Sequence, residues 1–148
     1  MNKKILISLA LIIVFLVFLS NIPHKHSLAD IKYVQIAGVS VKVDLALTPG
    51  EQEQGLSGRA GLDDNTGMLF VFNKPDKYLF WMKDMNFSID MIWIDSKMKV
   101  IYIKKDAKPE SFPESYGPDA PALYVLEVPD NFSDNNNLQV GDSAGFIY

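Results

Sequence analysis

The chain has 148 residues, 48% of them hydrophobic and 11% aromatic, enough for one domain with a real core once a leader is set aside. It has no cysteine, and its two histidines, His24 and His26, both precede the globular part. Thiolate nucleophiles, histidine bases and zinc or copper centres built on nitrogen and sulfur ligands are therefore excluded from the domain, leaving oxygen and amine chemistry.

The leader comes first. Met1-Asn2-Lys3-Lys4 is followed by an apolar run over residues 5–19, broken only by Ser8. This pattern predicts an N-terminal hydrophobic helix that exports the rest of the chain, with Lys3 and Lys4 held on the cytoplasmic side. Extended to Ile22, the run gives about 27 Å of helix, close to the roughly 30 Å of a hydrocarbon core. Residues 1–29 are thus read as a signal peptide or signal anchor with its linker, the anchor favoured, and residues 30–148 as a single globular domain. Small residues at Ser27 and Ala29 offer a cleavage site, although it lies far from the apolar run. His24 and His26 read as linker composition and not as a metal site. Since residues 1–29 hold three lysines and no acid, the domain carries 11 basic against 18 acidic side chains, a net charge of −7 that suits nucleic acid poorly.

The domain opens with two alternating runs, residues 31–37 and 39–47, joined at Gly38, which read as a β-hairpin. Thr48-Pro49-Gly50-Glu51 then carries the signs of a helix start: a threonine cap, proline at the first helical position and glutamate three residues after the cap. The helix is expected to end between Gly55 and Gly58. Arg59, the sole arginine among fourteen basic residues, offers a planar fork for a carboxylate or another anion. An internal ion pair with Asp90 or Glu127 is the expected use of it. Residues 63–67 form a turn cluster and residues 68–72 a short buried strand.

The densest stretch is residues 80–95, which holds both tryptophans and three of the six methionines. Apolar runs at residues 78–82 and 89–94 flank a polar connection, predicting a hairpin with a loop at residues 84–88. Alternation puts Asp90 on the face of Ile92 and Ile94, and Ile89, Met91 and Trp93 on the other. A buried carboxylate is costly, so Asp90 is expected to be solvated at a cleft, paired with a base, or protonated. Residues 98–105 continue the meander. Residues 106–121, with four prolines, read as a lid or a wrap over a barrel end. Residues 122–128 return to strand with Glu127 facing inward beside Leu123 and Val125. Residues 130–137 read as a solvated turn, because the spacing of an EF-hand loop is missing. A turn at residues 139–142 then leads to a last strand over residues 143–147. The fold class is mainly β (α+β): a compact, partly closed antiparallel β-barrel-like domain with one or two short helices.

Several segments together resemble the domain of unknown function family 192, DUF192, over residues 41–147. They are Thr48-x-x-Glu51 leading to Gly55-Leu56-x-Gly58-Arg59, Gly67-Met68-Leu69-Phe70, Phe80-Trp81-Met82-Lys83, Ile89-Asp90 with Ile94-Asp95, Tyr124-Val125-Leu126-Glu127, and Gly141-Asp142. The chain departs from the family pattern at Ser57, at Asp84-Met85 and at Tyr116-Gly117-Pro118, where the family favours Met, Asn-Thr and a Tyr-Pro-Ser turn. The resemblance implies a compact β-rich fold and frequent export, and it implies no reaction.

From the residues themselves, the favoured function is a binding module for a small molecule or peptide. Its expected cleft is lined by Trp81, Met82 and the Asp84 loop over residues 84–88, with Arg59, Lys83, Asp90 and Glu127 as polar contacts. One alternative is a carboxylate hydrolase of an envelope component using Asp90 and Glu127 as acid and base. Another is an assembly factor at the membrane surface that meets a partner through residues 106–121. No cofactor, metal or nucleic acid is expected, and the membrane is reached through the N-terminal segment.

Overall fold

The computed structural model describes residues 27–148, together with Ile12. The predicted hydrophobic helix and its linker lie outside the described residues, apart from Ile12 and Ser27 to Ala29. Among the described residues, no helix is long and apolar enough to cross a membrane. Ser27 caps a single 3-10 turn over Leu28–Asp30, so the small residues considered for cleavage sit at the cap and inside this turn.

Nine strands come after it: β1 (Tyr33–Ile36), β2 (Val39–Ala46), β3 (Thr66–Asp76), β4 (Phe80–Trp81), β5 (Ile89–Ile94), β6 (Val100–Ala107), β7 (Ser115–Tyr116), β8 (Ala122–Pro129) and β9 (Ala144–Ile147). Two short helices accompany them, α1 (Pro49–Gln54) and α2 (Phe132–Asn135). Seven strands form one curled half-barrel sheet in the order β6-β5-β8-β3-β2-β1-β9, and β4 and β7 form a separate ribbon. A bridge between Lys99 and Ser143 draws the β6 and β9 ends of the sheet together, which gives the partial closure.

Local signals account for the hairpins. Ala37 and Gly38 both take positive φ, so β1 and β2 reverse through a two-residue turn whose twist matches the strands. β5 and β6 pair antiparallel as the meander predicts. The sheet is antiparallel except at one place, where β2 and β3 are parallel. A parallel pair needs a crossover, and α1 with the loop after it supplies one. Gly67 is needed beside this join: a Cβ there would lie 2.4 Å from the Glu127 carbonyl of β8.

The predicted hairpin over residues 80–95 does not form. β4 pairs with β7, and β5 pairs with β6 and β8 instead. Every side chain of β5 is buried, so its two faces both need cover that a lone hairpin partner cannot supply. The proline-rich segment, expected as a lid or a wrap, returns to give β7 to β4. Gly117 permits that approach, as a Cβ would stand 2.7 Å from the Tyr78 carbonyl.

The sheet separates two cores. One face gathers Val34, Val41, Leu69, Ile92, Leu126 and Val128 among others, with partly buried Phe146 packed against them. The other gathers Phe70, Met82, Met91, Trp93 and Val125, and is covered by the segment after α1 and by the β4–β7 ribbon. Side-chain alternation puts Asp90 on the first face and Glu127 on the second.

Candidate functional site

α1 is short and depends on its ends. The Glu51 carboxylate accepts the backbone N–H groups of Leu47 and Thr48, both at 2.9 Å, and the Thr48 hydroxyl accepts that of Glu51 at 3.3 Å. Those backbone bonds, Thr48 first, hold the Glu51 carboxyl below its usual range. Gln52 pins the helix to the sheet, its side-chain amide donating to the carbonyls of Val71 at 2.9 Å and Ala46 at 3.3 Å. Gly55, at φ +50, closes the helix so tightly that a Cβ would come within 3.2 Å of the Phe70 ring.

Three hydrogen bonds then zip the loop after α1 to the turn after β4. Ser57 donates its hydroxyl to the Lys83 carbonyl at 2.9 Å, Gly58 donates its N–H to the Asp84 carbonyl at 2.8 Å, and Asn86 donates its amide to the Arg59 carbonyl at 2.9 Å. Asp84 adopts φ 56, a conformation aspartate and asparagine tolerate better than most residues. Across from this zipper, the Phe72 and Tyr78 rings stack with centroids 3.5 Å apart, and Phe80 meets Phe70 edge to face at 4.8 Å. The buried Trp93 indole donates to the Tyr78 carbonyl at 2.8 Å and fixes the segment leading into β4.

Between these walls lies a cleft of about 290 Å³. The rings of Phe70, Phe72, Tyr78, Phe80 and Trp81 line it on one side, and Gln52 to Ser57 on the other. Leu79 and Trp81 also line it and are 65% and 54% exposed, so this is the open side of the cleft. Glu127 belongs to the same lining but is only 5% exposed. Its Oε2 has no hydrogen-bond partner. Desolvation pushes this carboxyl up to about 8, against a smaller opposing pull from the Arg59 charge. The group is thus mostly protonated at neutral pH.

The residues singled out in the sequence are distributed unevenly around the cleft. Trp81 and Glu127 line it. Lys83 and Asp84 sit in an adjoining shallow groove that shares Trp81, Glu53, Gln54 and Ser57 with it. Met82 is fully packed in the core beneath. Arg59 pairs with neither Asp90 nor Glu127: its guanidinium donates to Asp44 at 2.7 Å, on a partly exposed surface groove. The zipper points the Arg59 side chain towards β2, where Asp44 is available.

Asp90 lies on the opposite face of the sheet from Glu127, so the two carboxylates cannot flank one bond as an acid and base pair. Asp90 does not reach a solvated cleft. It is fully buried, without a base beside it, and accepts the N–H groups of Asp106 at 2.9 Å and Ser133 at 2.8 Å. Asp106 sits at a bulge in β6, with φ 46, and Ser133 lies in the first turn of α2, whose cap residue Asn131 makes no side-chain capping bond. Asp90 therefore satisfies a bulge and caps a helix from a distance. The expected solvated turn over residues 130–137 instead contains this helix, with Phe132 and Ser133 buried. Among the described residues no group of three or more histidine, cysteine, aspartate or glutamate side chains is placed to hold a metal.

The match to the family model named DUF192, described as an uncharacterised ACR family, spans residues 32–146. The chain belongs to the DUF192 family. Two solved structures share the fold of this DUF192 domain. One is a Sinorhizobium meliloti 1021 protein provisionally described as a transcription regulator, 30% identical, with a TM-score of 0.69 over 72% of this chain and 82% of that one. The other is a Novosphingobium aromaticivorans DSM 12444 protein of unknown function, 28% identical, with a TM-score of 0.74 over 84% of this chain and 92% of that one. No curated protein matches the chain. Every cleft residue of the DUF192 domain falls inside the matched span.

Sequence reasoning missed Glu53, Phe70, Phe72 and Tyr78 as cleft residues, while Met85 belongs to the loop expected to line it. The signal for two of them was present: Met68, Phe70 and Phe72 alternate along β3 and so share a face. Which strand they would join to make a wall depended on the β3–β8 register, which brings Met68 opposite Glu127. Met85 stands where the family pattern has threonine, so one departure from that pattern falls in the cleft lining.

Proposed function

We propose that this DUF192 domain is a binding module whose ligand, a small molecule or a peptide side chain, enters the cleft at Trp81 and reaches Glu127. The observation that carries the reading is the unpartnered, buried carboxyl of Glu127 in an otherwise aromatic cleft. A buried polar group without a partner costs on the order of 1–3 kcal/mol, a cost that a ligand supplying the missing hydrogen bond would relieve. Aromatic walls with a few polar groups are the usual lining of small-molecule sites. In this reading Trp81 and Glu127 touch the ligand, Lys83 and Asp84 flank the entrance, Met82 supports the wall, and Arg59 acts on Glu127 through its field. Asp90 serves the fold.

The hydrolase reading loses its acid and base pair, and the assembly reading has no observation in its favour. Regulation through nucleic acid, as the description of the S. meliloti protein would suggest, is opposed by the net charge of −7 over residues 30–148. The leader supports presentation of the domain outside the cytoplasm, tethered or released. Fragment screening by NMR on the protein tests the binding reading. Binders are expected to shift the Trp81 indole and to be lost in Trp81→Ala; binders indifferent to that change would place the site elsewhere.

A further inference from the structure

We propose that the cleft takes a cation: an ammonium or alkylated ammonium group on an apolar shaft, seated among the rings of Phe70, Phe72, Tyr78, Phe80 and Trp81 with its charge towards Glu127. This rests on the cleft being a binding site and adds the chemical class of the group that enters.

The charge pattern of the lining is one-sided. Glu53 and Glu127 both contribute to it, and no lysine, arginine or histidine does. The basic groups nearby are already answered or stand outside. Arg59 lies in a separate groove and is held 2.7 Å from Asp44. Lys83 lies in the adjoining groove, alongside Glu53 and Asp84. The protein thus builds a buried carboxyl with no counter-ion in contact, only the weaker pull of Arg59 from beyond the cleft.

The rings supply the second half of the recognition. Their faces carry the negative part of the aromatic quadrupole, and a desolvated cation placed over them is attracted without forming a directional bond. Phe72 and Tyr78 are already stacked and Phe70 and Phe80 already meet edge to face, so the wall is ordered before any ligand arrives. A neutral ligand would find the rings equally apolar and could exchange a hydrogen bond with Glu127, but it would gain no charge attraction from the two acids.

Protonation separates the two cases. Burial keeps Glu127 mostly neutral below about pH 8, and a cation must draw out its ionised form, releasing a proton on binding. A neutral acceptor would instead bind the protonated form and let go as pH rises. The same ammonium chemistry could arrive on a small solute or on a lysine side chain of a peptide.

The test titrates the full chain, by NMR and calorimetry, with choline, with its neutral carbon isostere 3,3-dimethylbutan-1-ol, and with N-acetyl-lysine methylamide and its trimethylated form. At least one cation is expected to bind about tenfold more tightly than the isostere, and to gain about tenfold between pH 7 and pH 9 as Glu127 ionises. Glu127→Gln should remove both the preference and the pH dependence, and Trp81→Ala should weaken binding about tenfold or more. Thermal melts establish that both variants fold, and Glu127→Gln mimics the neutral carboxyl the protein already holds. Choline alone or the lysyl amides alone identify the source. If the isostere binds as tightly as the cations, or affinity falls with rising pH, the cation assignment is overturned and the cleft remains a binding site. If no probe binds, or binding ignores both substitutions, the cleft reading falls with it.

Discussion

Two buried carboxylates on neighbouring strands have opposite fates, and the difference is a matter of donors. Asp90 has two backbone N–H groups aimed at it, whereas the Oε2 of Glu127 has none. Asp90→Ala would strand the N–H groups of Asp106 and Ser133 in the core, at a cost of roughly 2–5 kcal/mol, and should show as a lowered urea midpoint with accelerated hydrogen exchange at α2. Asn in its place would set an amide donor against one of those donors and recover only part of the loss. Glu127 works in the other direction. Its folded value of about 8 lies above its ordinary value of 4.5, so between those limits the folded state binds more protons than the unfolded state. Stability linked to this group is therefore fully present below about 4.5, falls as pH rises, and levels off above about 8. The slope is about 1.4 kcal/mol per pH unit at most, amounting to a few kcal/mol overall. Urea unfolding of Glu127→Gln should lack this slope, and the variant should be the more stable protein at pH 8 and above. A wild type whose stability is flat across that window would mean that Glu127 finds a partner in solution.

At the scale of elements, the features legible in the chain were those decided by neighbours in sequence. The β1–β2 turn is set by Gly38, the start of α1 by Thr48 and Glu51, and the β5–β6 hairpin by the Asp95-Ser96-Lys97 turn, where Asp95 accepts the N–H groups of Lys97 and Lys99. The parallel β2–β3 pair and the β4–β7 ribbon join residues whose partners are chosen by packing, and nothing in the local pattern of Phe80 and Trp81 names Ser115 and Tyr116. The candidate site divides in the same way. Trp81 stood out by its adjacency to charged positions such as Lys83 and Asp84, and Glu127 as an acid in an apolar strand, while Phe72 and Tyr78 become a wall only once β4 has its partner. Gly117→Ala tests that dependence. Its Cβ would press on the Tyr78 carbonyl and, at 2.9 Å, on Leu79, and backbone on one side leaves little room to yield. A loss of roughly 1–3 kcal/mol is expected. Exchange should speed at Phe80 and Tyr116, and any ligand of the cleft should weaken, while the seven-stranded sheet keeps its protection.

For the whole molecule, the cleft is placed by two non-local events, the α1 crossover and the return of the proline-rich segment, on the face of the sheet away from the core shared by all seven strands. That leaves the cleft side carrying no burden of closing the half-barrel, although Leu56 and Phe70 of its lining are buried in the second core and hold it together. Where this side is displayed depends on the leader. Lys3 and Lys4 ahead of the apolar run should keep the N-terminus inside, and Lys25 beyond the run opposes them only weakly. A phosphatase that is active only outside the cytoplasm, fused after Tyr148, should therefore be active, and the fusion should remain with membranes if the anchor is retained. Replacing Lys3 and Lys4 by glutamate should reduce that activity several-fold, since Lys25 and the two flanking histidines then carry the positive bias. An inactive phosphatase on the full-length chain would overturn the export reading and leave the cleft to meet its ligand in the cytoplasm.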